Sequence, residues 1–258
     1  MRLAAVLIAL CFSSALAENG VWSMGSAMTL PEKRIEVGLF HPLQYGLAPD
    51  VELSTYPLDN ILFPNISLKK AWTTRRGLLF ATQHEITCPT PLLRTLARPG
   101  AGGIVPENSE IPFMLAFSQQ GLMTKKWNDR FAATFKAGFR LVARFGELDM
   151  PTIDYPIVYP RTAAYHSGFG VNAGADAAGA LRGRLGYHAD VDFFLTGLDE
   201  GGWALEHKAL LVWKKSRRFS LCLGYQLSVG AYPFGNELFI MPFYPIPAPL
   251  FDLQWGFF

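Results

Sequence analysis

The chain has 258 residues, of which 50% are hydrophobic, 14% aromatic and 17% charged, and its formal net charge is +2. A charge this close to zero gives no basis for a nucleic-acid partner. Apart from its first residues, the chain has no run of about 18 apolar residues, so no membrane-spanning helix is predicted. Its apolar surface must be buried in a core or face lipid from a closed sheet.

Residues 1–17 have the layout of a secretory signal peptide. A positively charged start and an apolar stretch precede an A-x-A cleavage site that ends at Ala17. We therefore expect export of the chain, with residues 18–258 forming one barrel domain. Cys88 and Cys222 then remain, and the sequence leaves open whether they form one disulfide or two free thiols.

The rest of the chain divides into segments of alternating polarity. In chain order, the predicted strands are 21–30, 34–43, 51–56, 66–73, 78–86, 111–122, 130–145, 162–175, 181–195, 203–214, 217–231 and 250–258. Their connections alternate between short turns and long, proline-rich loops. Transmembrane barrels have this asymmetry, with short periplasmic turns and longer external loops. Twelve strands place both termini in the periplasm. Exchanging the first strand for 236–243 also gives twelve but misplaces the long loops, and counts of ten or fourteen remain open.

Three segments show an unusually long two-faced pattern. In 181–195, apolar side chains at odd positions alternate with mostly polar or charged ones at even positions, and 131–145 and 219–231 repeat this design. Strands of soluble proteins are usually about 5–6 residues long, whereas a tilted strand needs about 9–11 to cross a bilayer. In a transmembrane barrel the apolar face meets lipid and the polar face lines the lumen. The sequence therefore predicts an all-β, up-and-down antiparallel transmembrane barrel.

The polar faces supply the candidate lumen wall. Its members are Arg130, Lys136, Arg140, Arg144, His166, Asn172, Arg182, Arg184, His188, Asp190, Asp192, Glu206 and Lys208. Because both signs of charge are mixed among them, they indicate no particular solute. On the apolar face, Trp203 and Trp213 are separated by about 25 Å along a tilted strand, the height of the apolar band of a barrel. Together with Trp255 they are predicted to belong to the aromatic girdles.

A more specific prediction concerns the hairpin of 162–175 and 181–195, which we expect to turn near Ala178. That register places His166 directly opposite Asp190, with Cβ atoms about 4.5–5.5 Å apart. The pair would join the neighbouring arginines in a charge-paired ladder that narrows the pore. Conductance should then change across mildly acidic pH.

Two groups of residues also allow other chemistry. His166 and Ser167 resemble the histidine–serine dyad of outer-membrane phospholipase A, but adjacent residues of a strand point to opposite faces. His188, Asp190 and Asp192 share a face, yet their spacing along one strand spreads them over about 13 Å. We therefore predict no catalytic residue, no metal and no cofactor, and expect opposed charges to pair across strands.

The C-terminus, from Phe251 to Phe258, alternates in polarity and ends in phenylalanine. It resembles the assembly signal of bacterial outer-membrane β-barrel proteins. That resemblance implies a Gram-negative outer membrane, contact with its lipids and insertion by the barrel-assembly machinery. The leading functional prediction is a passive, porin-like channel or narrow pore for small solutes. The alternatives are a structural or interaction barrel with an occluded lumen and binding outer loops, and a lipid-modifying enzyme.

Overall fold

A computed structural model shows the chain as a β-barrel. The structure describes residues 23, 25–72, 74, 76–100, 105–128, 130–149, 159–196, 202–216, 218–231, 238–241 and 248–258. Its strands are β1 Ile35–Gly38, β2 Leu43–Ala48, β3 Val51–Thr55, β4 Asn65–Ala71, β5 Leu78–Thr87, β6 Phe113–Asn128, β7 Phe131–Phe145, β8 Phe169–Arg182, β9 Leu185–Thr196, β10 Gly202–Ser216, β11 Phe219–Ala231, β12 Leu238–Met241 and β13 Ala248–Phe257. The helices in these residues are α1 Thr90–Leu96, α2 Tyr159–Ser167 and the 3-10 turn Asp59–Ile61. None of them is long and apolar enough to cross a membrane.

The wall is antiparallel throughout and closes on itself. Each strand from β1 to β11 pairs with the next, and β13 closes the barrel by pairing with both β11 and β1. The short strand β12 continues the line of β13 along the same edge of β11, where it pairs with Ser228–Ala231. The two strands share one position in the wall, so the barrel has twelve strands. The predicted fold class and strand number are both confirmed.

The assignment of those twelve strands differs at the N-terminus. Residues 23 and 25–30 form no strand, and the predicted strand 34–43 is instead β1, a turn and the first residue of β2, with β1 and β2 pairing antiparallel side by side. Pro42 lies at that turn and has no N–H to donate to a ladder, which favours the break. The prediction of a strand over 21–30 is therefore wrong for residues 23 and 25–30, where Ala27 and Leu30 donate to side chains of the lumen, while 21, 22 and 24 lie outside the described residues.

The predicted register of the β8–β9 hairpin is also wrong. The chain turns at Gly183, whose φ is +57°, and not near Ala178. Asp176 therefore lies opposite Asp190. The run of alanine and glycine that suggested a turn belongs to β8, where small residues make room inside the wall. His166 lies in α2, so the predicted His166–Asp190 pair is not formed.

The barrel is polar inside and apolar outside. Along β7, Phe135 is 62% exposed while its neighbour Thr134 is 3% exposed, and Glu36 and Glu206 are fully buried. This inverts the pattern of a soluble protein, in which charged side chains are almost never fully buried unless paired. An apolar outer band around a polar interior is the arrangement of an outer-membrane β-barrel protein.

The end of the barrel that carries the long loops is covered by an apolar cluster. Leu93 of α1 packs there with Val105, Met114 and Tyr165 of α2, all of them buried. Burial raises the pKa of Tyr165, so its hydroxyl stays neutral. We call this the long-loop end and the opposite one the short-turn end. The cluster fixes α2 across the barrel mouth.

Candidate functional site in the lumen

The chain segment before β1 crosses the inside of the barrel. Ala27 and Leu30 are fully buried there, and their amides donate to Thr124 Oγ1 at 2.8 Å and to Glu52 Oε2 at 2.9 Å. Lys69 Nζ in turn donates to the carbonyl of Ser23 at 2.9 Å. These bonds satisfy backbone groups that would otherwise be buried without partners. Residues 23 and 25–30, which we call the inner segment, therefore narrow the lumen.

A charged cluster surrounds the point where the inner segment passes β8 and β9. Asp176 and Asp190 face each other across the two strands. Lys136 Nζ lies 3.3 Å from Asp176 and 2.9 Å from Asp192, and Lys208 Nζ lies 2.7 Å from Asp190. The three aspartates are 3–4% exposed. Pairing with lysine is what makes such burial of carboxylates tolerable.

The lack of a side chain at Gly174 on β8 leaves space for the side chain of Lys136. A Cβ at this position would lie 2.6 Å from the backbone carbonyl oxygen of Val191, which is too close for a real side chain, and 2.8 Å from Cε of Lys136. A glycine in the wall here lets the lysine reach across to Asp192. The sequence placed Gly174 in the predicted strand 162–175, but alternation alone did not reveal this packing role.

A second charged contact ties α2 to the wall. Arg161 donates a short hydrogen bond to Glu206 of β10, and Gln226 Nε2 donates to the other oxygen of that carboxylate at 2.8 Å. Arg140 donates to the carbonyl of Arg161 and, through Nε, to Ser118 Oγ at 2.7 Å. The helix is thus held over the lumen by side chains that point inward from β7 and β10.

Among the residues that the structure describes, two cavities lie in the lumen. The upper one, of about 280 Å³, lies toward the long-loop end and includes Asn172 and Arg161 in its lining. The lower one, of about 230 Å³, lies toward the short-turn end and includes Tyr187 in its lining. His188 and Lys208 line both cavities. These two side chains therefore stand at the boundary between the upper and lower parts of the lumen.

The predicted lumen residues lie in several different places. At the boundary lie Lys136, His188, Asp190, Asp192 and Lys208, with Glu206 just above them. Asn172 and Arg140 line the upper cavity, and Arg130 and Arg184 line the lower one. Arg182 is exposed at the end of β8, outside the predicted ladder. Arg144 reaches α2, where it donates to the carbonyl of His166.

The predicted girdle residues lie near the ends of their strands. Trp203 stacks on Phe193 with ring centroids 6.4 Å apart at the long-loop end of β10. Trp213 lies at the other end of that strand, and Trp255 packs edge-on against Phe219 at 5.9 Å. Their place at the two membrane interfaces stays a prediction.

Sequence reasoning missed the inner segment and the side chains that bind it. Glu52 and Lys69 are 2% and 4% exposed and pair at 3.1 Å. Both lie in strands too short for their alternation to stand out. Arg161 was missed because it was assigned to a loop. A usable signal was the density of small residues in 23–30, which fits a confined path better than a strand.

His166 and Ser167 lie at the end of α2 and not in the predicted strand 162–175. Ser167 Oγ donates to the carbonyl of Phe169 at 2.8 Å, within the end of α2. The two cysteines are free thiols, with Cys222 buried and Cys88 half-buried.

Comparison with known proteins adds one likeness. No model of a known protein family matches the chain, and no curated protein matches it. Among solved structures, the outer membrane channel DcaP of Acinetobacter baumannii is similar, with 8% sequence identity and a TM-score of 0.41. The match covers 95% of this chain and 68% of that one. At that identity and TM-score, the likeness says nothing about what this chain does.

Proposed function

We propose that the chain is a passive outer-membrane channel for small solutes, with a narrow point halfway through its lumen. The observation that carries the proposal is that two cavities lie one above the other and share His188 and Lys208 in their walls. A solute that passes between these side chains crosses from one cavity to the other. Because the lining carries both charges, we expect small polar solutes and weak ion selectivity.

A specific observation favours a second candidate, a structural barrel with a closed lumen. The inner segment is hydrogen-bonded to Thr124 and Glu52 on the wall, and α2 is bonded to Glu206. If both contacts persist in the membrane, the lumen stays too narrow for solutes and the outer loops carry the function.

Conductance in planar lipid bilayers separates the two candidates. For a channel, purified full-length protein should give stepwise conductance increments, with a reversal potential near zero in a salt gradient. The second candidate is favoured if neither the full-length protein nor a variant with a loosened inner segment conducts. Heat-modifiable gel mobility should verify that each sample contains the folded barrel, since a closed barrel leaves no free strand edge.

A further inference from the structure

At the boundary between the two cavities, the ion pairs leave some polar atoms of a buried cluster without a partner. Asp176 on β8 and Asp190 on β9 are directly opposed, and His188 lies two residues before Asp190 on the same face. One ligand-type atom from each of these three residues lies within 4.8 Å of the others. Two carboxylates placed directly opposite each other repel unless a cation lies between or beside them.

The neighbouring lysines do not satisfy all of these atoms. Asp190 is only 3% exposed. Its Oδ2 is bound by Lys208, but its Oδ1 has no hydrogen-bond partner. Asp176 Oδ2 also makes no hydrogen bond, although Lys136 Nζ is 3.3 Å away. His188 Nε2 has no hydrogen-bond partner and lies 3.5 Å from Asp176 Oδ1. Orphaned polar atoms at this depth are costly and call for a partner.

Charge and space both favour a cation as that partner. Around the cluster, the carboxylates of Asp176, Asp190 and Asp192 face the ammonium groups of Lys136 and Lys208. One negative charge is left over when His188 is neutral, since Arg161 is bound mainly to the nearby glutamate. Gly25 of the inner segment lines the upper cavity beside the cluster, where a Cβ would lie 3.2 Å from His188 Nε2. A glycine there keeps the approach to the imidazole free.

We propose that Asp176, His188 and Asp190 form a binding site for a divalent transition-metal ion such as Zn²⁺. One imidazole nitrogen and two carboxylate oxygens are ligands that Zn²⁺ accepts, and three protein ligands leave a coordination position for water. Softer, sulfur-preferring ions and ions that bind oxygen alone fit this set less well. The site arises from pairing between strands, which explains why the spacing along β9 alone did not predict it.

Equilibrium dialysis of the purified full-length barrel in detergent, with Zn²⁺ as the sole added metal, tests the site. We expect one saturable Zn²⁺ ion per chain. His188→Gln and Asp190→Asn should each weaken binding by at least about tenfold, because lost ligands cost no less than lost outer-shell partners. His84→Gln is the matched control, since His84 lies on β5 against Phe117, away from the cluster.

A further variant separates a metal site from a structural ion-pair network. Lys208 binds Asp190 and would repel an incoming cation, so Lys208→Met should tighten Zn²⁺ binding, whereas a purely structural network would bind none. Co²⁺ substitution should give a visible absorption band that disappears in His188→Gln, a readout that holds even if Asp190→Asn fails to fold. Absence of saturable Zn²⁺ binding by the parent protein overturns the proposal. So does equal weakening by His84→Gln and His188→Gln.

Discussion

The two faces of strand β9 differ sharply in exposure and charge. Asp190 and Asp192 are 3% and 4% exposed, whereas Val191 and Phe193, their immediate neighbours, are 41% and 38% exposed. On the charged face, Asp192 and Asp190 pair with Lys136 and Lys208, whereas the side chains of the apolar face point out of the barrel. The same strand therefore has one face in the polar lumen and the other on the apolar outside of the barrel, and each environment disfavours different side chains.

The stability of the inner face therefore depends on which charged side chains pair, whereas that of the outer face depends on how apolar its side chains are. A buried carboxylate is tolerated only when a specific cation is placed against it. A lipid-facing side chain needs only to be apolar, because no neighbour has to match it. Substitutions on the inner face should therefore act through particular partners, and those on the outer face through polarity alone.

The largest effect is expected from removing the lysine that two aspartates share. Lys136→Met leaves Asp176 and Asp192 without their ammonium partner and should lower the free energy of unfolding by about 3–5 kcal/mol. Denaturant unfolding measures this change, with the loss of heat-modifiable gel mobility as the signal for unfolding.

The control for that substitution is Lys215→Met. Lys215 is exposed at the end of β10, so replacing it should change stability by less than about 0.5 kcal/mol. If the two variants unfold at the same denaturant concentration, the inner face does not depend on pairing, and the comparison between the faces fails.

A charge placed on the outer face should have the next largest effect. Phe135→Arg puts a cation at a position that is 62% exposed to lipid, and should cost about 2–4 kcal/mol near the bilayer midplane. Gln120→Arg places the same side chain on the inner face, beside the upper cavity, and should be milder. Folding yield into lipid vesicles compares the two variants. Equal yields would mean that the faces have been assigned wrongly.

Sequence periodicity predicted the outer face well because that face follows a simple rule. Alternation identified Phe135 and Val191 as outward. Together with the pattern of short and long connections it predicted twelve antiparallel strands, a correct number in which the described residues of 21–30 are not a strand and 34–43 is divided between β1 and β2. The inner face could not be predicted to the same depth, since its contacts depend on register. A turn at Gly183 and not near Ala178 brings Asp176 to Asp190, and no local pattern distinguishes these two turns. The inner segment was missed for a related reason, because its hydrogen bonds reach to distant strands.

Weakening the contact between α2 and the wall should change conductance through the lumen more than it changes the stability of the fold. Arg161→Met removes the guanidinium from Glu206, which keeps only its bond from Gln226, and should cost about 1–3 kcal/mol. Because α2 covers the long-loop end, the single-channel conductance should rise. Arg98→Met, a change at an exposed arginine after α1, is the control and should leave conductance unaltered. Unchanged conductance in Arg161→Met would place the narrow point elsewhere in the lumen.

The smallest and most local effect concerns the bond between the inner segment and the wall. Thr124 Oγ1 accepts the amide of Ala27 at 2.8 Å and is 2.7 Å from Thr134 Oγ1. Thr124→Val keeps the shape of the side chain but removes the acceptor, at a cost of about 1 kcal/mol. Thr134→Val loses the same contact between the two threonines and leaves Thr124 free to accept from Ala27. Hydrogen exchange at the Ala27 amide should therefore speed up in Thr124→Val and not in Thr134→Val. Conductance should follow the same order if the inner segment limits passage. Equal exchange in the two variants would show that this bond does not hold the segment, and that its fixed position comes from Glu52 and Lys69 instead.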